Sequence, residues 1–133
     1  MVAILERLVY RSDAADGLSS ADILAIVEQS RVNNARRDIT GFLIFESGRF
    51  LQLIEGSPTE IDALMAKIAA DDRHHSVETL QREVVGERWF PEWKMKRLIS
   101  FDSTPALEAV RERVSGKSGG DALVQMVERF VAD

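Results

Sequence analysis

The sequence predicts an α+β fold in which two helices pack on one face of a single β-sheet. Short strand-like segments alternate with amphipathic segments of helical spacing, in the order β-α-β-β-α-β-β. Both helical segments follow a serine with the spacing of a helix cap, and a tight-turn signal joins the second and third strands. The 133 residues are enough for one domain with one core.

The first strand and first helix come from the N-terminal part of the chain. Residues 2–10, VAILERLVY, are the predicted first strand. Ser19 and Asp22 have capping-box spacing, because a hydroxyl acceptor is followed three residues later by a carboxylate. The helix that follows has apolar residues at helical spacing, and we expect it to end near Asn33 and Asn34.

The next two strands form a hairpin, and the second helix follows directly. Residues 39–46 and 49–55 are predicted strands, and the serine–glycine pair between them indicates a tight turn. Ser57 is the predicted cap of the second helix, because proline occupies the first helical position and Glu60 lies three residues after the cap.

The fourth and fifth strands complete a ferredoxin-like pattern. Residues 76–86 are the predicted fourth strand, and residues 93–100 follow as the fifth after a turn that contains Pro91. A strand, a crossover helix and a neighbouring strand, used twice, is typical of this fold. One face of the sheet then carries two helices, so the opposite face needs a separate cover.

The C-terminal segment is a candidate for this cover. Thr104 and Asp121 are predicted to begin two amphipathic helices, separated by a glycine-rich break. Neither helix has an evident core of its own, so we expect both to lie on the open sheet face or to pair with another chain. The sequence therefore divides into a domain at residues 1–100 and a helical extension at residues 101–133.

Composition argues against several classes of function. The net charge of −5, from 17 basic and 22 acidic side chains, disfavours binding to nucleic acids or anionic membranes. Cysteine is absent, so disulfides, thiolate metal sites and cysteine nucleophiles are excluded. Neither a signal peptide nor a membrane span is recognisable, and we expect a cytoplasmic protein.

Two local patterns have simpler explanations than a catalytic site. The Gly-Lys-Ser sequence at residues 116–118 resembles the end of a phosphate-binding loop, but the glycine needed five residues before it is Arg111. His74 and His75 are the only histidines, and adjacent histidines rarely chelate one metal ion. We therefore expect a flexible linker, no metal site and no enzyme active site.

Gln52 does not fit the apolar pattern around it. It lies in FLQLIEG, residues 50–56, where burial of its amide costs free energy unless donor and acceptor both find partners. Alternate strand residues share a face, so Phe50, Gln52 and Ile54 point the same way. Tyr10, at the predicted end of the neighbouring first strand, could donate its hydroxyl proton to the Gln52 oxygen. The alternative is a polar residue at a sheet edge near solvent.

A series of short motifs resembles those of one family. In chain order the motifs are Tyr10, Ser30-Arg31-Val32-Asn33-Asn34, Asp38-Ile39-Thr40-Gly41, Phe50-Leu51-Gln52, Glu55-Gly56, Asp71-Asp72-Arg73-His74 and Arg88-Trp89-Phe90-Pro91-Glu92-Trp93-Lys94-Met95. In this order and spacing they resemble BLUF domains, the flavin-binding blue-light sensors, over about residues 3–100. The resemblance implies a ferredoxin-like domain that holds FAD non-covalently between its two helices.

The resemblance also implies roles for particular residues. Tyr10 and Gln52 match the photoactive pair, and Met95 matches a methionine near the glutamine. Trp93 matches a tryptophan that swings between buried and exposed positions, and Asn34 matches the asparagine that bonds the flavin ring. The other residues implied to contact the cofactor are Ile26, Ser30, Asn33, Phe50, Lys67, Asp71, Arg73 and His74.

The implied chemistry is a photocycle that consumes no substrate. Excited flavin is a strong oxidant, tyrosine can give up an electron and then a proton, and glutamine can relay that proton because it both donates and accepts. After recombination the change that remains is a rearranged Gln52 side chain, by rotation, tautomerisation or both. A new or stronger hydrogen bond to the flavin C4 carbonyl then shifts the absorption to the red.

The end of the chain is expected to carry the signal. The fifth strand leads into residues 101–133, so a small change at the flavin could bias these segments between two packings. We expect a stand-alone sensor that acts on an unknown downstream protein in trans and can form a homodimer.

Two alternative functions remain open at this stage. One is a ferredoxin-like small-molecule or protein-interaction module without flavin. The other is a flavin enzyme that transfers hydride or electrons, although the sequence has no dinucleotide-binding fingerprint.

Overall fold

The computed structural model describes residues 4–99 and 104–132, with the backbone alone for residues 94–99 and 104–106. The strands are β1 (Leu5–Ala14), β2 (Thr40–Glu46), β3 (Arg49–Gly56), β4 (His74–Val85) and β5 (Lys94–Ile99), and the helices are α1 (Ser20–Arg36), α2 (Pro58–Ala69), α3 (Thr104–Val114) and α4 (Gly120–Ala132). The order of these elements confirms the predicted β-α-β-β-α-β-β pattern followed by two helices.

The strands form one sheet in the order β4-β1-β3-β2-β5. The first four are antiparallel to their neighbours, and β5 joins the edge in parallel with β2. β1 and β3 pair at the centre of the antiparallel part, with Tyr10 directly opposite Gln52. The sheet and its two crossover helices confirm the ferredoxin-like α+β fold.

Two apolar cores lie on opposite faces of the sheet, because successive strand residues point to opposite sides. The core on the α1–α2 face contains Leu8, Tyr10, Ile23, Val27, Ile39, Leu43, Phe50, Ile54, Ile61 and Leu64. The core on the α3–α4 face includes Val9, Phe42, Ile44, Leu51, Leu53, Phe90, Val110, Val114, Leu123, Val127 and Phe130. The C-terminal helices therefore cover the open face of their own sheet, one of the two positions that the sequence left open.

The two crossover helices begin at their predicted caps. The Ser19 hydroxyl accepts from the Asp22 N–H at 3.1 Å, and the Asp22 carboxylate accepts from the Ser19 N–H at 2.9 Å. The Ser57 hydroxyl accepts from the Glu60 N–H at 3.3 Å, and Pro58 is the first residue of α2. These caps fix where both helices start over the sheet and so help define the space between them.

Two predicted boundaries in the first half of the chain were wrong. β1 continues to Ala14, so Tyr10 lies inside the strand and not at its end, because β3 and β4 pair with β1 on both sides. α1 continues past Asn33 and Asn34 to Arg36, because no glycine or proline interrupts it and Asn34 is buried.

Two further boundaries differ from the prediction in the second half. β4 begins at His74 and not at residue 76, because His74 pairs with Ala14 of the extended β1. α4 begins at Gly120, one residue before the expected cap at Asp121. The parts of the predictions that concern residues 1–3, 100–103 and 133 lie outside the described residues.

The fifth strand begins one residue later than the predicted residue 93. β5 begins at Lys94, so Trp93 lies just before it. The register of β5 against β2 shifts at Met95, between the residues paired with Gly41 and Phe42. Such a bulge interrupts the regular pairing at this edge of the sheet.

Gly41 is a position where the fold has no room for a side chain. Its φ is +145°, and a Cβ would overlap the Leu53 carbonyl oxygen of the paired strand. We expect Gly41→Ala to lower the free energy of unfolding by about 3 kcal/mol or more, because only a shift of β2 away from β3 relieves a backbone clash. Chemical denaturation followed by circular dichroism measures this change.

Gly86→Ala is the matched control for this prediction. Gly86 has ordinary φ and open space around a Cβ. Its substitution should leave stability nearly unchanged, and similar losses in the two variants would contradict the steric explanation.

Candidate functional site

A cavity of about 280 Å³ opens on the α1–α2 face, between the two helices and the sheet. Its walls are formed by Tyr10, Ile26, Gln29, Ser30, Asn33, Leu43, Phe50, Gln52, Leu64, Lys67, Ile68, Asp71, Arg73 and His74. Eight of these residues are polar or charged and six are apolar or aromatic. A concave site where polar groups converge beside apolar side chains is typical of a small-molecule site.

Tyr10 and Gln52 form a direct contact at the floor of this cavity. The Tyr10 hydroxyl donates a hydrogen bond to the Gln52 side-chain oxygen, as the strand pairing led us to expect. Both residues are buried, with 3% and 2% of their surface exposed. The edge-of-sheet alternative for Gln52 is therefore wrong, because β3 is flanked by β1 and β2.

The surroundings of Tyr10 keep its hydroxyl protonated. Burial raises the pKa of this phenol far above its usual range, and the negative charge of Asp71 adds to the increase. At neutral pH the hydroxyl therefore holds its proton and can act as the donor to Gln52.

Asp71, Arg73 and Gln29 form a cluster at the outer end of the cavity. The Arg73 guanidinium donates to the two Asp71 oxygens at 3.0 and 2.7 Å, and to the Gln29 side-chain oxygen at 2.7 Å. The hydrogen bond from Arg73 lowers the pKa of Asp71, and the same bond raises the pKa of Arg73. Both groups are charged at neutral pH, and Arg73 links α1 to the segment before β4.

His74 braces the same end of the cavity. Its Nε2 lies 2.8 Å from the Ile68 carbonyl oxygen, and its Nδ1 lies 2.9 Å from the Ser12 hydroxyl. A carbonyl oxygen can only accept, so Nε2 carries a proton. The ring meets Phe50 edge-on, with centroids 6.1 Å apart. His74 therefore lines the cavity with both of its ring nitrogens bonded within the protein.

Asn33 and Asn34 are neighbours on α1 with different surroundings. Asn33 lines the cavity. Asn34 is completely buried, and among the described residues neither atom of its side-chain amide has a hydrogen-bond partner. An unsatisfied buried amide costs about 1–3 kcal/mol. A ligand that offers an acceptor beside a donor would satisfy both atoms.

The remaining expected contacts on the helices and β3 also lie at the cavity. They are Ile26 and Ser30 on α1, Phe50 on β3 and Lys67 on α2. Lys67 supplies a positive charge on the same wall as Asp71, although its ammonium lacks the forked donor geometry of arginine.

Four residues that line the cavity were not expected from the sequence: Gln29, Leu43, Leu64 and Ile68. Helical spacing gives a signal for three of them, because residues three or four apart share a helix face. Gln29 lies three residues after Ile26. Leu64 lies three residues before Lys67, and Ile68 lies four residues after Leu64.

Trp93 lies away from this cavity. Its ring packs on the α3–α4 face, with centroids 4.8 Å from the Phe90 ring and 6.1 Å from the Phe42 ring. The structure therefore places Trp93 on the side of the sheet opposite the Tyr10–Gln52 pair, and does not bring the two together. The side chain of Met95 lies outside the described part of the structure.

A buried carboxylate ties β3 to the loop between β4 and β5. Glu55 accepts from Arg7 Nε at 2.9 Å and from the N–H groups of Trp89 and Phe90 at 2.7 and 2.9 Å. The Arg7 guanidinium also lies 3.6 Å from the centre of the Trp89 ring. Glu55 lies three residues after Gln52 on β3, so one strand carries both the cavity floor and this anchor.

The described ranges contain neither a metal-binding cluster nor a membrane-spanning helix. No cluster of three or more His, Cys, Asp or Glu side chains there could hold a metal ion. In residues 4–99 and 104–132, no helix has the length and apolar character needed to cross a membrane.

Comparisons with known proteins agree on one family. Residues 5–96 match the family described as "BLUF: Sensors of blue-light using FAD". The chain is 35% identical over 116 residues to photoactivated adenylate cyclase subunit beta of Euglena gracilis, covering 84% of this chain and 13% of that protein. The chain thus spans only about a tenth of the length of the curated cyclase relatives.

Solved structures are similar over nearly the whole chain. The dark-state structure of BlrB, a BLUF protein, is 32% identical with a TM-score of 0.75, covering 99% of this chain and 98% of that one. A structure of Klebsiella pneumoniae BlrP1 with FMN and cyclic diGMP is 28% identical with a TM-score of 0.76, covering 97% of this chain and 35% of that one. By sequence, fold and site, the chain belongs to the BLUF family, the blue-light sensors that bind flavin.

Proposed function

We propose that the chain is a blue-light photoreceptor in which the buried Tyr10–Gln52 pair responds to excitation of bound FAD. The observation that carries this proposal is the hydrogen bond from the Tyr10 hydroxyl to the Gln52 oxygen, at the floor of a cavity between two helices. Family membership supports a flavin, and the family description supports FAD. Because one BlrP1 structure contains FMN, a measurement on the purified protein has to distinguish FAD from FMN.

The residues around the cavity fit a flavin. The orphaned Asn34 amide is suited to a heterocycle edge that presents a carbonyl beside an N–H. Apolar side chains of Ile26 and Phe50 suit a flat ring, and the charge of Lys67 suits a phosphate. Bound there, the flavin supplies a light-excited oxidant. The other proposed contacts are Ser30, Asn33, Asp71, Arg73 and His74.

Tyr10 is the proposed electron and proton donor. Its proton stays on Oη in the dark, because a phenol is protonated at neutral pH and burial and the Asp71 charge raise its pKa further. Loss of an electron makes a phenol strongly acidic, so the proton then moves along the existing hydrogen bond to Gln52 Oε1. Return of the electron and the proton restores Tyr10.

Gln52 is the proposed switch. Its carboxamide can accept at Oε1 and donate from its NH₂ group, and rotation about the last side-chain bond exchanges these two groups. After the rotation, the partners that faced the oxygen face the NH₂ group, and the partners that faced the NH₂ group face the oxygen. The volume filled by the side chain hardly changes. Two arrangements of Gln52 are therefore compatible with the same packed core.

The proposed output is residues 101–133 together with β5, while residues 1–100 act as the flavin domain. Support comes from α3 and α4, which pack on the sheet face behind the cavity. We infer that these segments signal to a downstream protein in trans, that the chain has no enzyme activity of its own, and that it works in the cytoplasm.

Light scattering after gel filtration, in dark and light, tests homodimer formation.

An absorption spectrum before and after blue light tests the photoreceptor proposal. We expect a yellow protein whose flavin bands shift to the red under illumination and return in the dark. A protein that stays colourless after reconstitution with flavin would favour the flavin-free alternative. A flavin-loaded protein with no light-induced shift would contradict the proposed photocycle.

The switch role of Gln52 predicts a specific loss. Gln52→Leu should keep flavin but abolish the red shift, because leucine can neither accept nor donate a hydrogen bond. Tyr10→Phe should behave in the same way, since phenylalanine has no hydroxyl proton. Gln29→Leu is the matched control, because Gln29 lines the same cavity but bonds Arg73. A normal shift in Gln52→Leu would remove the switch.

The role of Asn34 predicts opposite effects on the flavin-free and flavin-loaded protein. Asn34→Leu should leave the flavin-free protein as stable or more stable, because leucine is similar in size and has no unsatisfied polar atom. Its flavin affinity should fall by about 5- to 150-fold, equivalent to about 1–3 kcal/mol. Thermal melting and flavin titration measure the two effects. Unchanged affinity would show that Asn34 does not bind the ring.

The pKa of Tyr10 can be tested without light. The chain contains one tyrosine, so NMR of protein labelled with ¹³C at the tyrosine ζ carbon gives a single signal. In the folded protein this signal should titrate at a clearly higher pH than in the chain unfolded in urea, which should titrate near pH 10, because burial raises the pKa of Tyr10. Equal titration in both states would mean that Tyr10 is not enclosed as described.

A further inference from the structure

Trp93 lies at an irregular point of the sheet. Its carbonyl oxygen accepts from the Gly41 N–H at 2.9 Å, immediately before β5 begins. The register of β5 shifts two residues later, at Met95. The Trp93 ring is only partly buried against the α3–α4 core. Trp93 therefore lies just outside the regular strand pairing, and contacts from neighbouring side chains contribute to the position of its ring.

Arg113, in the last turn of α3, contacts this segment in three ways. Its Nε donates to the Trp89 carbonyl oxygen at 3.1 Å, and a terminal nitrogen donates to the Glu92 carboxylate at 2.9 Å. Its guanidinium carbon lies 5.7 Å from the centre of the Trp93 ring. The Arg113 side chain therefore joins α3 to Trp89, Glu92 and Trp93, which precede β5.

These contacts are suited to positioning more than to overall stability. Glu92 is largely exposed, so its ion pair contributes little to the free energy of unfolding. The guanidinium of Arg113 is planar and always charged, and it binds a carbonyl and a carboxylate while it lies near an aromatic ring. The attachment of α3 and α4 to the sheet depends instead on their apolar core.

The same loop is tied to the strand that carries Gln52. The buried Glu55 carboxylate accepts from the N–H groups of Trp89 and Phe90. A shift of β3 therefore moves the backbone of the loop, and Arg113 bonds this loop from the opposite side. Gln52 and Glu55 lie on the same strand, Glu55 bonds the loop, and Arg113 bonds the loop from α3.

We propose that Arg113 is a positioning residue that holds Trp93 on the α3–α4 face in the dark and couples movement of this loop to α3. The first role, the position of Trp93 in the dark, is the positioning half, and it depends on the contacts alone. The second role, the link between movement of the loop and α3, is the coupling half, and it rests on the proposed photoreceptor function.

Fluorine NMR tests the positioning half in the dark. The chain has two tryptophans, so protein labelled with 5-fluorotryptophan gives two signals, and Trp93→Phe assigns one of them. In Arg113→Gln, the Trp93 signal should move and show a larger H₂O/D₂O isotope shift, because the ring becomes more exposed. Arg113→Lys should give an intermediate change, since lysine keeps the charge without the fork.

Arg111→Gln is the matched control for this experiment. Arg111 is also on α3, is more exposed than Arg113, and pairs with Glu128 of α4 at 3.1 Å, away from the loop. Arg111→Gln should lower the melting temperature no more than Arg113→Gln does, and it should leave the Trp93 signal unchanged. An unchanged Trp93 signal in Arg113→Gln, or the same change in both variants, would overturn the positioning role.

Hydrogen exchange of the flavin-loaded protein in dark and light tests the coupling half. Wild type and Arg111→Gln should show a light-dependent difference in α3 and α4, and Arg113→Gln should lose most of it while keeping the red shift. The coupling would be overturned if Arg113→Gln and wild type showed the same light-dependent difference in exchange in α3 and α4. It would also be overturned if neither protein showed such a difference. A wild-type protein without a red shift would instead contradict the proposed photoreceptor function, and the dark NMR result would stand independently.

Discussion

The hydrogen bond between Tyr10 and Gln52 is the interaction on which the proposed function depends. It exists because β1 and β3 pair antiparallel at the centre of the sheet, in a register that sets these two residues opposite each other. A shift of one residue would turn one of the two side chains to the other face. The turn between β2 and β3 and the close approach at Gly41 therefore serve the site as well as the fold.

In the proposed function, the α1–α2 face of the sheet senses light and the α3–α4 face carries the output. The α1–α2 face holds the cavity, and the α3–α4 face is covered by the C-terminal helices. β3 contributes to both, because Gln52 lies at the cavity while Glu55 anchors the loop between β4 and β5. A rearranged amide can influence a distant helix only through such contacts, since the packed core between them resists deformation.

Much of the fold could be predicted from the sequence, because caps, alternation and turn signals are local. Capping of α1 by Ser19 and the shared face of Phe50, Gln52 and Ile54 followed directly from spacing. Strand ends and the position of Trp93 could not be predicted, because they depend on pairing with β4 and on the bulge at Met95. The Arg113 contacts join residues distant in sequence, so no local pattern contains them.

The most direct test of the central claim is a light-minus-dark infrared difference spectrum of flavin-loaded protein with isotope-labelled tyrosine. The chain has one tyrosine, so every label-sensitive band reports on Tyr10. The account predicts label-sensitive bands that appear with the red shift and decay with it, because the hydrogen bond from Tyr10 to Gln52 changes when the amide rearranges. A red shift without any label-sensitive band would contradict it.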